Sequence, residues 1–216
     1  MIEFDPSIVV AMNIYGFIGI AVFAITGVLA GARKGMDIFG IVVIGIVTAL
    51  GGGTLRDIIL NVPVFWANNL IALLIAILAS IIAFFLADKL RHTSTTLLQL
   101  DALGVAVFNI QAIDKTLLLG YSPAIAVIMG MITGITGGII RDILTGRPNL
   151  LLRREIYATP ILAGGIVYVI IIAIIPGVSL YAGILAVAIV LFIRTAAIRW
   201  KLTLPGFLLF SGSEEE

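Results

Sequence analysis

Two Arg-Asp pairs are the residues best suited to chemistry in this sequence. Arg56-Asp57 follows a run of three glycines and Arg141-Asp142 follows shortly after a pair of glycines, each within sequence that is otherwise almost entirely aliphatic. A charge at the centre of a bilayer costs about 3 kcal/mol on insertion scales, and each glycine weakens a helix by about 1 kcal/mol relative to alanine. A functional role is therefore the leading explanation for both copies of this motif.

Catalysis is the first role to consider for the two acids. In an intramembrane aspartic protease, Asp57 and Asp142 would have to share one proton, but each acid follows an arginine that favours its ionised form. The sequence has no cysteine, and it contains neither the HExxH metal motif nor the GxSxG nucleophile motif. We therefore expect a protein that is not an enzyme and that needs no cofactor or resident metal.

The composition indicates a membrane protein. Of the 216 residues, 61% are hydrophobic and 12% are charged, and the mean hydropathy is +1.23. Apolar stretches of about 20 residues, the length that spans a bilayer, follow one another along the chain and predict an all-α integral membrane protein with seven transmembrane helices. The predicted spans are 8–30, 38–60, 69–87, 97–113, 123–144, 159–175 and 179–197.

The positive charges predict how the spans are oriented. Outside the two motifs, ten lysines and arginines fall on one side of the predicted spans, and only Lys115 falls on the other. Because positive residues stay in the cytoplasm, we expect the N-terminus outside, the C-terminus in the cytoplasm and a multi-pass protein of the cell membrane. Arg153 and Arg154 are also candidates for contact with anionic lipids. The net charge of +1 gives no reason to expect nucleic acid as a partner.

The charged motif belongs to a longer internal repeat. Asp142 lies 85 residues after Asp57, and the same offset superposes Thr133 on Thr48. The repeated unit contains three spans. Since three is an odd number, the second copy enters the membrane upside down, which is the inverted-repeat architecture of many transport proteins.

The repeat defines the domain organisation. Repeat one covers about 8–87, repeat two covers about 97–175, and a seventh helix at about 179–198 lies outside the repeat. Together they predict a single transmembrane channel domain over residues 1–205. Residues 206–216 are expected to be a flexible tail or a remnant outside the fold.

The glycines predict two helix breaks near the middle of the membrane. They lie about 14 residues into their spans, or about 20 Å from opposite entry faces at 1.5 Å per residue. Unwound backbone is tolerated in a membrane only within protein or along a watery cavity, and threonine hydroxyls can replace part of an ion's water shell. Close packing between helices is the alternative explanation for such glycines. The predicted pore and gate residues are Thr48, Gly51, Gly52, Gly53, Thr54, Thr133, Gly134, Thr136, Gly137 and Gly138.

The charged pairs are predicted to support this gate at its two mouths. Adjacent residues on a helix do not face each other, so each arginine is expected to find local carbonyls or another acid. The candidate partners are Asp114 for Arg56, and Asp101 or Glu155 for Arg141.

Glycines followed by Arg-Asp, in two three-span repeats with a seventh span, resemble the prokaryotic branch of the trimeric intracellular cation (TRIC) channels. The resemblance covers about residues 1–205. It implies a homotrimer in which each protomer has its own pore, gated near the second and fifth spans and permeable to monovalent cations, chiefly K⁺ with Na⁺ as the second candidate. Some bacterial relatives are labelled glycine transporters, so a secondary carrier for a small solute such as glycine is the alternative.

Overall fold

The computed structural model describes residues 6–90, 94–153 and 156–203. The predicted tail at 206–216 and the candidate partner Glu155 lie outside these residues. The described chain folds into helices joined by short turns. The elements are α1 (Pro6–Ala32), α2 (Ile38–Ile59), α3 (Phe65–Asn68), α4 (Leu70–Leu90), α5 (Ser94–Leu118), α6 (Pro123–Leu144), the 3₁₀ helix η1 (Leu150–Leu152), α7 (Ala158–Ile174) and α8 (Ser179–Trp200).

Six helices in the described part of the chain are long and apolar enough to cross a membrane: α1, α2, α4, α5, α6 and α8. They match six of the seven predicted spans. The predicted sixth span corresponds to α7, which has 17 residues and is therefore about 25 Å long at 1.5 Å per residue. The predicted end of the fourth span is wrong, because α5 continues past Asp114 and Lys115 to Leu118. Both polar side chains find partners inside the protein, so they do not end the helix.

The predicted breaks in the second and fifth spans are also wrong. Both α2 and α6 are continuous α-helices through all of their glycines. The absent side chains instead allow the two helices to touch. A Cβ built on Gly137 would lie 2.7 Å from the carbonyl oxygen of Thr48, and one built on Gly52 would collide with the carbonyl oxygen of Thr133. Close packing therefore explains Gly52 and Gly137.

This contact between α2 and α6 is reciprocal. Gly52 and Gly137 are 85 residues apart, and so are the residues that they touch, Thr133 and Thr48. Each helix therefore presents the same two positions to the other. Contacts in which i meets j and j meets i are those of two-fold symmetry, so α2 and α6 are arranged about a local two-fold axis at this crossing.

The contact between α1 and α5 follows the same rule. Gly19 of α1 lies against the Phe108 ring, and Gly104 of α5 lies against the Phe23 ring. The centroids of the two rings are 5.3 Å apart, and both side chains are almost completely buried. Helices α1, α2, α5 and α6 thus form the centre of the fold. Around it, α4 packs on α1 and α2, and α7 packs on α6 and α8.

Replacing Gly52 with alanine should destabilise the fold, because the new methyl group meets backbone that cannot move aside. Overpacking of this kind costs about 1–3 kcal/mol, which exceeds the gain of about 1 kcal/mol in helix propensity. Thermal unfolding of the purified protein in detergent measures the effect. Gly51→Ala is the matched control, because its Cβ would meet only the movable end of the Ile140 side chain. Equal melting temperatures for the two variants would contradict the backbone contact.

Candidate functional site

The first charged cluster lies at the C-terminal end of α2. The Oδ1 atom of Asp57 accepts hydrogen bonds from Arg56 Nε at 2.8 Å and from Lys115 Nζ at 2.7 Å. Its Oδ2 atom accepts from the backbone N–H of Phe65 at 2.9 Å, and Arg56 Nη1 donates to Oε1 of Gln111. Asp57 and Arg56 are almost completely buried. We call Arg56, Asp57, Gln111 and Lys115 the Arg56 cluster.

The second cluster lies at the C-terminal end of α6. Arg141 Nε donates to Oδ1 of Asp142 at 2.9 Å, and the Oδ2 atom of Asp142 accepts from the backbone N–H of Leu150 at 3.3 Å. Arg141 Nη1 donates to Oδ1 of Asp101 at 2.8 Å, and the Tyr157 hydroxyl donates to Oδ2 of the same acid at 3.0 Å. All of these side chains are buried. We call Arg141, Asp142, Asp101 and Tyr157 the Arg141 cluster.

Each arginine binds the aspartate next to it, so the expectation that the adjacent residues would not meet is wrong. The rule for helix neighbours concerns the directions of the Cβ atoms, whereas the long arginine side chain folds back until Nε reaches the carboxylate. The same carboxylate holds a backbone N–H eight residues further on, at the first residue of α3 or of η1. The pair therefore ties the end of a long helix to the short helix that follows it.

The predicted partners of the two arginines are only partly right. Asp101 is confirmed as the partner of Arg141. Asp114 is wrong for Arg56, because Asp114 accepts a hydrogen bond from the Tyr168 hydroxyl of α7 instead. Sequence reasoning missed Gln111 and Lys115 as partners in the Arg56 cluster. Their spacing of four residues, which places both on one face of α5, was the available signal.

The predicted threonines differ in what their hydroxyls do. Thr48, Thr54 and Thr136 each donate to the carbonyl oxygen four residues earlier in the same helix, at 2.7–2.8 Å. The Oγ1 atom of Thr133 is buried and makes no hydrogen bond within the described residues. Thr133 is therefore the one of these four threonines whose hydroxyl is not already bonded to the helix.

The other predicted glycines all lie against neighbouring atoms. Built Cβ atoms at 51, 53, 134 and 138 would meet, in order, the Ile140 side chain, the Phe65 ring, the Val105 carbonyl and the Asp101 carboxylate. Gly134 thus faces α5 and lies away from the crossing of α2 and α6. The structure brings together the predicted residues at positions 48, 52, 133 and 137, and Gly51 also faces α6 through Ile140. It leaves Gly53, Gly134 and Gly138 on other contacts.

A cavity of about 100 Å³ lies beside the Arg56 cluster, between α1, α2, α4 and α5. We call it the Arg56 cavity. Its polar and small lining residues are Asn13, Gly16, Arg56, Asn69, Ala72, Gln111 and Lys115. Much of the remaining wall is aromatic or aliphatic, so charged and amide groups line a largely apolar, partly open cavity.

The turn after α6 collects positive charge next to the turn after α1. A Cβ built on Gly146 would lie 3.7 Å from Nζ of Lys34. Burial lowers the pKa of the Arg147 guanidinium below its ordinary value, and the positive charges of Arg33 and Arg141 lower it further. The ends of α1 and α6 are therefore close together, on one side of the molecule.

A family model described as "Glycine transporter" matches the chain twice, over residues 13–88 and 98–173. The two matches are offset by 85 residues, the same offset that relates Asp57 to Asp142. The predicted duplication is confirmed by this double match.

Relatives with related sequences cover most of the chain. The UPF0126 inner membrane protein YadS of Escherichia coli K12 is 43% identical over 194 residues, which are 89% of this chain and 94% of that protein. The solved structure of a TRIC trimeric intracellular cation channel orthologue from Rhodobacter sphaeroides is 36% identical, with a TM-score of 0.84, over 88% of this chain and 98% of that one. A prokaryotic TRIC channel solved in 0.5 M KCl is 30% identical, with a TM-score of 0.80, over 89% and 98% of the two chains.

Neutralising Asp101 should destabilise the protein strongly, since Asp101→Asn leaves a buried guanidinium with one carboxylate fewer. Removing one member of a buried ion pair costs about 3–5 kcal/mol. Asp37→Asn is the matched control, because Asp37 caps α2 at an exposed position where asparagine caps about as well. Denaturant titration of the purified protein measures both changes. If the Asp101→Asn variant is as stable as the control, the Asp101 charge does not stabilise the buried Arg141.

Proposed function

This chain belongs to the family of UPF0126 membrane proteins and prokaryotic TRIC channels, and on that premise we propose that it is a monovalent cation channel. K⁺ is the proposed main ion and Na⁺ the second, with one pore in each protomer of a homotrimer. The chain is a multi-pass protein of the cell membrane. The likeness to the solved channel from Rhodobacter sphaeroides, at a TM-score of 0.84, is the observation that carries the proposal.

The proposed topology has seven spans, with the two repeats inverted in the membrane. Two contacts support it. Lys34 after α1 lies near Gly146 after α6, and Lys115 near the end of α5 binds Asp57 near the end of α2. Helices that cross the membrane in alternate directions place the ends of α1 and α6 on one side and the ends of α2 and α5 on the other, which agrees with these contacts. In the proposed topology α7 is the sixth span. Because lysines and arginines gather at the first of these two sides, that side is the cytoplasmic one.

The proposed gate is the crossing of α2 and α6. In the described conformation the two backbones touch at Gly52 and Gly137, so an ion cannot pass between the helices at that level. Opening requires that the helices separate or slide there. The Thr133 hydroxyl, which no helix carbonyl occupies, is then available to an ion that has lost part of its water shell.

A secondary carrier for glycine is the second candidate. The description of the matching family model favours it, and so does the presence of a cavity lined by charged and amide groups. A carrier would move its solute through alternating closure on the two sides of the crossing, without a continuous pore.

Recordings from the protein reconstituted in planar bilayers distinguish the two candidates. We expect discrete single-channel currents whose reversal potential follows the K⁺ gradient when KCl differs across the bilayer. Electrically silent membranes, together with saturable uptake of glycine by proteoliposomes, would contradict the channel and establish the carrier.

Replacing Thr133 with valine should lower the unitary K⁺ conductance several-fold, because the substitution removes the one free hydroxyl at the crossing and keeps the shape of the side chain. Thr48→Val is the matched control. Thr48 occupies the equivalent position in repeat one, but its hydroxyl already donates to Ile44. Unitary currents are compared in symmetric KCl. A conductance that falls equally in both variants, or in neither, would argue against Thr133 as an ion ligand.

A further inference from the structure

The two charged clusters share the Arg-Asp pair and differ at four positions that the repeat makes equivalent. Gln111 and Lys115 of the Arg56 cluster correspond to Thr26 and Ala30. Asp101 of the Arg141 cluster corresponds to Gly16, and Tyr157 corresponds to Ala72, each at the 85-residue offset. In repeat two, the Asp101 carboxylate and the Tyr157 ring fill the space beside Arg141. In repeat one, Gly16 and Ala72 both line the Arg56 cavity. The cavity thus lies where the other half of the protein has an acid and a tyrosine. The Gln111 side chain borders it and accepts from Arg56 Nη1, as Asp101 accepts from Arg141 Nη1.

The Arg-Asp pair itself has the same geometry in both clusters. In both, the arginine Nε donates to the adjacent aspartate, at 2.8 Å and 2.9 Å. In both, the Oδ2 atom of that aspartate accepts a backbone N–H eight residues further on. The two clusters therefore differ in the partner of the arginine Nη1 atom, which is a carboxylate at Arg141 and a neutral amide at Arg56.

The Arg56 cluster has an excess of positive charge. Arg56 and Lys115 share one carboxylate, that of Asp57, so the Arg56 cluster carries a net charge of about +1 at pH 7 on ordinary pKa values. Arg141 has two carboxylates, and the second arginine nearby, Arg194, stacks on Tyr157 with its Cζ atom 4.5 Å from the ring centroid.

Neither acid of α5 binds Arg56. The Nη1 atom of Arg56 meets only the neutral amide of Gln111. Nη2 lies 2.7 Å from Oδ1 of Asp57 but makes no well-aligned hydrogen bond within the described residues. Asp114, the neighbour of Lys115, is turned toward Tyr168. Within the described residues, an almost fully buried cation with no carboxylate other than Asp57 therefore borders the cavity.

We propose that the Arg56 cavity is a binding site for a small carboxylate, which supplies beside Arg56 the second negative charge that Asp101 supplies beside Arg141. A ligand with one negative charge neutralises the cluster, and the amides of Asn13 and Asn69 supply further donors. The volume of about 100 Å³ suits a small acid of one or two carbons. The site is independent of the transport mechanism, since a channel and a carrier would both contain it.

Thermal unfolding of the purified protein tests the proposal without any measurement of flux. At constant ionic strength, acetate and glycine should raise the melting temperature in a saturable way, because a ligand that binds only the native state stabilises it. Methylammonium chloride, which has the cation of glycine without its carboxylate, should not. Larger acids such as glutamate should have no saturable effect. Failure of acetate and glycine to act, or an equal effect of methylammonium, overturns the proposal.

Gly16→Asp tests the position of the site, since it places a carboxylate where repeat two has Asp101. A Cβ at Gly16 would lie 3.5 Å from Cγ of Gln111, which is ordinary van der Waals contact. We expect Gly16→Asp to abolish the acetate response and Gly16→Ala, the matched control, to keep it. If Gly16→Asp does not fold, Lys115→Gln decides, because loss of that charge should weaken acetate binding at least ten-fold. An unchanged response in Gly16→Asp or Lys115→Gln overturns the site.

Discussion

The contact between the backbones of α2 and α6 is the constraint on which the rest of the structure depends. Two helices approach this closely only where neither has a side chain, and Gly52 and Gly137 meet that condition on both sides of the crossing. Because the contact is reciprocal, it also fixes the local two-fold axis, about which Phe23 and Phe108 pack. Any substitution that separates α2 from α6 therefore affects both repeats at once.

The charged clusters stabilise the C-terminal ends of α2 and α6. A buried arginine needs several acceptors, and in each repeat the adjacent aspartate supplies the first. That aspartate also accepts the first N–H of the next short helix, so one carboxylate joins two elements. The turn between them is repeated as well: Asn61 and Gly146, 85 residues apart, both have positive φ, at 52° and 59°. The same arrangement of residues thus follows the C-terminal ends of α2 and α6, although only the turn after α6 has glycine at this position.

Hydropathy and the internal offset predicted most of the fold, because both are properties of local sequence. The breaks in α2 and α6 were predicted wrongly, because a run of glycines occurs both in helices that unwind and in helices that pack closely. Only the neighbouring helix decides between these two outcomes. The partners of Arg56 were missed for a related reason. Whether Asp114 or Lys115 faces α2 depends on the rotation of α5, which the sequence does not determine when polar residues occur on adjacent positions. Asp101 was easier to predict, since it was the one acid proposed for Arg141 that falls within a predicted span.

A duplicated chain carries its own control for questions about function. Where both copies have the same residue, as at each Arg-Asp pair, the scaffold alone accounts for it. Where they differ, as at Gly16 and Asp101, the difference marks what one half does and the other does not. Arg56 lies four residues after Gly52, or about 6 Å along α2 at 1.5 Å per residue. A ligand that draws on Arg56 therefore acts within about one helical turn of the α2–α6 contact, whereas Arg141 at the other end is already held by a residue of the protein itself. The two ends of the crossing thus share the Arg-Asp pair but differ in its surroundings, which are a carboxylate of the protein at Arg141 and a cavity at Arg56.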